Sequence, residues 1–273
     1  MDLTKDIECF DLVVFDLETT GLDAVTGDSI CEIGAFKVRN RKIIDKFHSL
    51  INPKRSIPMQ AYNIHKISEE EVKNAPCFED VADKFVSFLD QSVIFAYNIK
   101  FDMSFINNHL GKLNQPSLEL PAVDILSMAR NVLELPRYNL DSVARSFDID
   151  CSQGLHRALY DASIACQVLM KLFCILNEKG IRNLGEFVSL YGLNNEIFKE
   201  KEEKKIDIFN LAIKERTVFK IKHFSSNNVI EEKEVLPLRV VLEGKHFYLL
   251  CQDKDKDSFS IRVSRILKII NLL

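Results

Sequence analysis

FDLETTG, residues 15–21, closes the β-rich apolar run DLVVFD (11–16) and sets two carboxylates at the end of what reads as a strand. Side chains alternate along a strand, so Asp16 and Glu18 share one side, roughly 7 Å apart. Unpaired charge at the end of an apolar strand is costly, so the pair asks for a partner of opposite sign. Two hard oxygen ligands at that separation suit Mg²⁺ or Mn²⁺. A bare D-x-E also fits an exposed strand end with a solvated turn. Thr19, Thr20 and Gly21 read as that turn, with backbone N–H groups free for a ligand.

Working outward, SICEIGAFKVR (29–39) and KIIDKFHSLI (42–51) read as two more strands joined by a turn at Asn40 and Arg41. Residues 52–66, with Pro53 and Pro58, read as loop. Phe78, Val81, Ala82, Phe85, Phe88 and Leu89 fall at helical spacing, SVIFAY (92–97) reads as a buried strand, and 101–113 as a helix. A short strand near 121–124 precedes helices at 125–133 and 139–147, and a long helix over about 158–178 stops before Gly180. Three antiparallel-looking strands followed by alternating helices and strands predict an α/β layer with a mixed sheet, residues 1–180. Residues 181–205 include the charged run NNEIFKEKEEKK (194–205) and read as a linker or solvated helical connector. A helix at 206–216 and strand-like segments, with turns at Asn227–Asn228 and Gly244, predict a small β-rich domain over 206–273.

Composition sets the frame. A hydrophobic fraction of 47% and a charged fraction of 28% are those of a globular chain. No apolar run is expected to reach the roughly 18 residues of a membrane span, and the acidic N-terminus lacks a signal-peptide pattern. Seven scattered cysteines without C-x-x-C point to free thiols in a reducing cytoplasm, against disulfides and zinc. Residues 1–180 hold 19 Lys and Arg against 26 Asp and Glu, net −7, and the remainder is +3. An acidic first domain does not by itself suggest nucleic-acid binding, unless carboxylates there hold cations.

Two more clusters carry chemistry. In AYNIKFDMSFI (96–106), Asp102 falls at a helix start, where a carboxylate ordinarily caps free N–H groups. In HRALYDA (156–162), Asp161 lies in the first turns of the long helix, with His156 just after Gly154. An imidazole, with an ordinary pKa of about 6.5, accepts a proton at neutral pH, although a lone histidine is more often a surface residue.

Taken together, the ordered set D-x-E … N-x-x-x-D … H-x-x-x-x-D resembles the DnaQ-like (DEDDh) exonuclease family, over about residues 10–178. That family includes proofreading subunits and domains of bacterial DNA polymerase III, and RNase T. The likeness extends to INPKRSIP … IHKISEEEV (51–72) and YNLDSVARSFDI (138–149). It implies an RNase H-like mixed five-stranded sheet with flanking helices, and a cytoplasmic enzyme that removes nucleotides from the 3′ end of single-stranded DNA. By the same resemblance Asp16, Glu18 and Asp161 hold a first divalent cation, Mg²⁺ or Mn²⁺. Asp16, with Asp102 through water, helps hold a second, and His156 deprotonates the attacking water. Two such cations would neutralise the transition-state phosphate and stabilise the departing oxygen. Thr19, His65 and Asn98 are candidates for gripping the terminal nucleotide. The chain departs from the family at Tyr97, where A-H-N is usual, and at Lys66, where glycine commonly follows the histidine; both bear on substrate preference.

Residues 206–271 resemble a WYL domain through DIFNLAIKERT, VLPLRVVLEGKHFYLL and SIRVSRILKI, with the naming triplet as Phe247-Tyr248-Leu249. Such domains are small SH3- or Sm-like barrels that sense ligands or nucleic acid. Arg239, Arg262 and Arg265 would then line an anion-binding surface, although a plain β-domain with edge arginines serving oligomerisation fits the same pattern. Phe259 stands where relatives often carry a further arginine. Gln167, Met170 and Phe173 loosely mimic a sliding-clamp peptide, but their helical spacing is that of a core face. The rival functions are RNA trimming, a non-catalytic nucleic-acid-binding regulator, and a proofreading partner of a polymerase.

Overall fold

The computed structural model describes residues 1–152, 156–193, 196–225, 229–244 and 246–271. Gly154 and the predicted turn at Asn227–Asn228 lie outside the described residues. The chain forms two compact units, Lys5–Ile175 with Met1 and Leu176–Leu273 with Asp2–Thr4.

In the first unit, β1 (Asp11–Thr19), β2 (Ile30–Arg39) and β3 (Lys42–Leu50) pair antiparallel, while β4 (Ser92–Ala96) runs parallel to β1 and β5 (Ala122–Asp124) parallel to β4. The order β3-β2-β1-β4-β5 is the mixed five-stranded sheet. Asn40 and Arg41, at φ 50° and 62°, make the two-residue β2–β3 turn, whose left-handed residues match strand twist. Alternation along β1 puts Phe15 on the face covered by α3 (Phe78–Leu89), with ring centroids of Phe15 and Phe85 6.0 Å apart. Val14, Asp16 and Glu18 therefore face the other side. There α7 (Ala158–Glu178) packs, with Phe173 edge-on to Phe95 at 5.9 Å.

By length and composition alone α7 is apolar enough to cross a bilayer, against the expectation that no stretch is. Its Ala162, Ala165, Val168, Leu169, Leu172 and Phe173 are instead buried in the core. Burial of Phe173 also separates it from the exposed Gln167, so the core face prevails over the clamp-like motif.

Between β3 and α3, the loop predicted over 52–66 contains a short helix, α1 (Met59–His65) after Pro58, and a second, α2 (Glu69–Val72), follows it. A capping box explains α2: Ser68 Oγ accepts the Glu71 N–H, and the Glu71 carboxylate accepts the Ser68 N–H. Both helices are too short to show periodicity. Further along lie α4 (Ile99–Lys112), α5 (Ile125–Val132) and α6 (Leu140–Ser146). All seven cysteines are free, and Cys31, Cys151, Cys166 and Cys251 are buried.

The second unit contains α8 (Leu184–Tyr191) and α9 (Glu196–Glu215), then β6 (Phe219–Phe224), β7 (Ile230–Glu243), β8 (His246–Gln252), β9 (Ser258–Arg262) and β10 (Ile266–Asn271). One helix thus runs from Glu196 through the rest of the charged run and the segment after it, which the sequence reads as connector and separate helix. The antiparallel order is β10-β6-β7-β8-β9. The long β7 serves both halves, pairing with β6 before and with β8 around an irregularity at Pro237–Arg239, and a 3₁₀ turn at Val263–Arg265 leads into β10. Such a bent sheet fits a small barrel. Its core holds Phe219, Ile221, Val235, Leu249 and Cys251, sealed by Phe209 of α9 stacked on Phe219 at 5.7 Å.

Candidate active site

Three elements bring the acids together. β1 is paired to β4 only through Val14, so its last residues run past β4 with one backbone edge uncovered. Asp102, in the first turn of α4 and 2% exposed, fills that edge, its carboxylate drawn to the N–H of Leu17 and its own N–H. Asp102 is thus both the helix-start carboxylate its position suggests and a member of the acidic cluster. From the other side α7 contributes Asp161. Ligand atoms of Glu18, His156 and Asp161 all lie within 4.8 Å of one another. His156 has φ 80°, and its N–H donates to both Asp161 oxygens at 3.0 and 3.1 Å.

The electrostatics follow from this crowding. Burial, and then Asp102, Glu18 and Asp161, push Asp16 well above the carboxylate range. Burial, with Asp161, Glu32 and Asp102, raises Glu18 to about 8. Asp161 reaches about 6 through burial, tempered by the His156 N–H. Burial raises Asp102 likewise, against the pull of the two N–H groups. Four carboxyl groups, each raised above its ordinary range chiefly by burial, are a donor set lacking positive charge. All-oxygen ligands with one imidazole beside them fit hard divalent cations, so the residues present fit the metal the family implies.

The three candidates for gripping a nucleotide differ. Thr19 is buried and its hydroxyl donates to the Gly21 carbonyl at 2.6 Å, while the Thr20 N–H donates to Ser29 O at 2.8 Å. The turn is therefore less open than its sequence suggests. His65 is 2% exposed; its Nδ1 accepts the Ile67 N–H at 3.0 Å, and its Nε2 finds no partner among the described residues. Burial, tempered by a backbone interaction with Thr19, lowers its pKa, so the ring is neutral and Nε2 carries its proton. Asn98 is exposed in the left-handed region at φ 72°, its N–H donating to Asp124 Oδ1 at 3.0 Å. Tyr97 turns away from the acids, its hydroxyl donating to the Tyr138 carbonyl at 2.6 Å.

Two residues that hold this arrangement are absent from the sequence-level candidates. Asp124 caps α5 and also accepts the first N–H groups of α4, from Asn98 and Ile99, tying down the turn that carries Asp102. Glu32 of β2, 1% exposed, accepts from Arg157, Ala158 and His48. A lone acid in the apolar run ICEIGAF was the signal for the second; Asp124 gave none beyond an ordinary cap.

In the second unit, Arg262 and Arg265 line one groove with His223, Lys233, Tyr248, Phe259 and Ser260. Arg262 Nη2 contacts His246 Nδ1 at 2.8 Å, while its buried Nε and His223 Nε2 find no partner among the described residues. Arg265 donates to the carbonyls of Phe224 and Ser225. Arg239 is exposed on β7 opposite Leu250 and is not among the groove's described walls.

Residues 13–169 match the exonuclease family RNase T, and residues 205–270 match the WYL domain. The DNA polymerase III subunit epsilon of Rickettsia felis is 39% identical over 166 residues, 59% of this chain and 72% of that protein. The PolC-type DNA polymerase III of Caldanaerobacter subterraneus subsp. tengcongensis is 35% identical over 204 residues, 74% of this chain and 14% of that protein. The structure of exonuclease X in complex with 5′ overhanging duplex DNA aligns with a TM-score of 0.51 at 27% identity, covering 61% of this chain and 93% of that one.

Proposed function

The chain belongs to the DnaQ-like 3′→5′ exonuclease family, and from that premise we propose that it hydrolyses phosphodiester bonds at the 3′ ends of single-stranded DNA by a two-metal mechanism. The observation that carries this reading is the convergence of Asp16, Glu18, Asp102 and Asp161 beside His156. Asp16, Glu18 and Asp161 would hold one divalent cation, and Asp16 with Asp102 the second. When bound, such ions neutralise charge on the reacting phosphate and acidify water.

The chain's own groups do the rest. Paired strand and helix starts fix the acids before substrate arrives, so little ordering remains for the reaction. His156, exposed at the rim, is the proton acceptor for the attacking water. Neutral His65, buried beside Thr19, carries an Nε2–H suited to an oxygen of the terminal nucleotide. DNA is favoured as substrate because the relatives named above are DNA polymerase components and a nuclease captured on DNA. For the C-terminal unit we propose a groove for a phosphate-bearing ligand or nucleic acid, with Arg262 as its principal cation and the Tyr248 and Phe259 rings as flat walls.

The test is trimming of 3′-labelled oligonucleotides, DNA and RNA competing in one reaction, with Mg²⁺, Mn²⁺ or chelator. Metal-dependent loss of DNA from the 3′ end is the expected result. Preferential loss of RNA would reassign the substrate, and binding without turnover would leave a regulator.

A further inference from the structure

Register across β1 and β2 sets Glu32 opposite Glu18 and Gly34 opposite Asp16, so an E-x-G on β2 answers the D-x-E of β1 on the same face. Both β2 residues meet the start of α7. Gly34 leaves room for it: a Cβ there would lie 2.2 Å from Leu159 N and 2.3 Å from the Ala158 carbonyl carbon. Glu32 bonds to it. Oε2 accepts the Ala158 N–H at 2.9 Å and Arg157 Nε at 3.1 Å. Oε1 accepts Arg157 Nη2 at 3.0 Å and His48 Nε2 at 2.7 Å.

Those four donors fill the acceptor directions of a carboxylate, so Glu32 stands among the acids with no lone pair to spare for a cation. Like charges directly opposite on neighbouring strands are unfavourable, and the bidentate guanidinium of Arg157 offsets this for Glu32 beside Glu18. On the other side of Arg157, the His156 N–H is held by Asp161, whose own N–H donates to the Arg157 carbonyl at 2.9 Å. Residues 156–158 are therefore pinned between carboxylates from two elements.

We propose that Glu32, with Gly34 and Arg157, is a positioning device that docks the first turn of α7 on β2 and so sets where His156 and Asp161 stand relative to Asp16 and Glu18. The proposal rests on the exonuclease reading of the site, with Glu32 acting through its neighbours and touching neither substrate nor metal.

The experiment uses the full chain and the variants Glu32→Gln, Arg157→Ala, Arg157→Lys and the Glu32→Gln/Arg157→Ala double. Turnover of a 3′-labelled single-stranded DNA with Mg²⁺ is measured together with amide hydrogen exchange over residues 156–161 without metal. Glu32→Gln is expected to lower kcat about 10–100-fold, as loss of groups that orient metal ligands does. KM should stay within about twofold, since ground-state binding is untouched. Exchange over 156–161 should accelerate by about tenfold or more. The double variant should fall no further than the worse single, because both remove one linkage. Arg157→Lys should recover part of the Arg157→Ala loss. Unchanged kcat and exchange in a folded Glu32→Gln protein would overturn the proposal. So would multiplicative losses in the double, or rescue by excess Mg²⁺, which would make Glu32 a ligand. Should Glu32→Gln fail to fold, Arg157→Ala, whose side chain is 43% exposed, carries the same test. If the wild-type protein shows no metal-dependent turnover, the exonuclease reading falls and exchange alone decides: protection lost in Glu32→Gln upholds the clamp, protection kept refutes it.

Discussion

Asp16 faces Glu18, Asp102 and Asp161, and that crowding gives one substitution two opposite effects. Asp16→Asn removes a carboxylate on which both proposed cations depend, so metal-dependent turnover should fall by more than about 100-fold, beyond the loss typical of supporting residues. The same change removes a carboxyl buried away from water and among like charges, so with chelator present the variant should be more stable in urea by about 1–3 kcal/mol. Retained turnover would end the metal assignment. Lys66 supplies a second residue-scale prediction. It closes α1 at φ 58°, a conformation that strains a side chain and suits glycine. Lys66→Gly should therefore raise the denaturation midpoint, by up to about 1 kcal/mol of stability after the entropy cost of glycine is subtracted. A loss of stability would show that the Lys66 ammonium over the Tyr62 ring, 5.6 Å from its centroid, outweighs the backbone strain.

At the scale of elements, the start of α7 is the most exacting contact in the first unit. Gly34→Ala would force backbone apart, because the intruding Cβ meets Leu159 N and the Ala158 carbonyl carbon rather than a side chain that can swing away. The expected cost is about 1–3 kcal/mol, the range for overpacking, with a loss of turnover larger than that of an equally destabilised variant elsewhere in the core. Thermal unfolding and trimming rates measured together check this. Elements whose apolar residues repeat over several turns, α3 and α7, were legible from spacing, as was the strand that supplies Asp16 and Glu18. α1 and α2 were not, because seven and four residues are too few for a period; burial of Ala61 and His65 holds α1, and a capping box with burial of Val72 holds α2. The continuity of α9 was hidden because the run EKEEKK (200–205) carries no apolar period in the sequence.

For the molecule as a whole, the acids couple stability, pH and metal. Glu18 at about 8 and Asp161 at about 6 lie above their ordinary values of 4.5 and 3.8. The metal-free fold is therefore favoured most while these groups are protonated. It loses stability as pH rises from those ordinary values to about 6 and about 8, because the unfolded chain ionises first and the folded site must then ionise among like charges. Cations bind the ionised form and cancel that repulsion, so the rise in Tm on adding Mg²⁺ should be larger at about pH 8.5 than at about pH 5.5. Equal increments at both pH values would mean that the carboxylates ionise without help. The sequence by itself determined the mixed α/β class, the strand that carries Asp16 and Glu18, and the order of acids and histidine. Each of these is written in local periodicity or in spacing along the chain. Only the tertiary structure decided that Asp102 caps the uncovered edge of β1, that Tyr97 turns toward Tyr138, and that Arg239 stands apart from Arg262 and Arg265. It alone set Glu32 and Gly34 opposite the two site acids and under α7, more than a hundred residues away in sequence. Strand register and helix docking join residues that no local pattern relates, so their partners become visible only once the chain has folded.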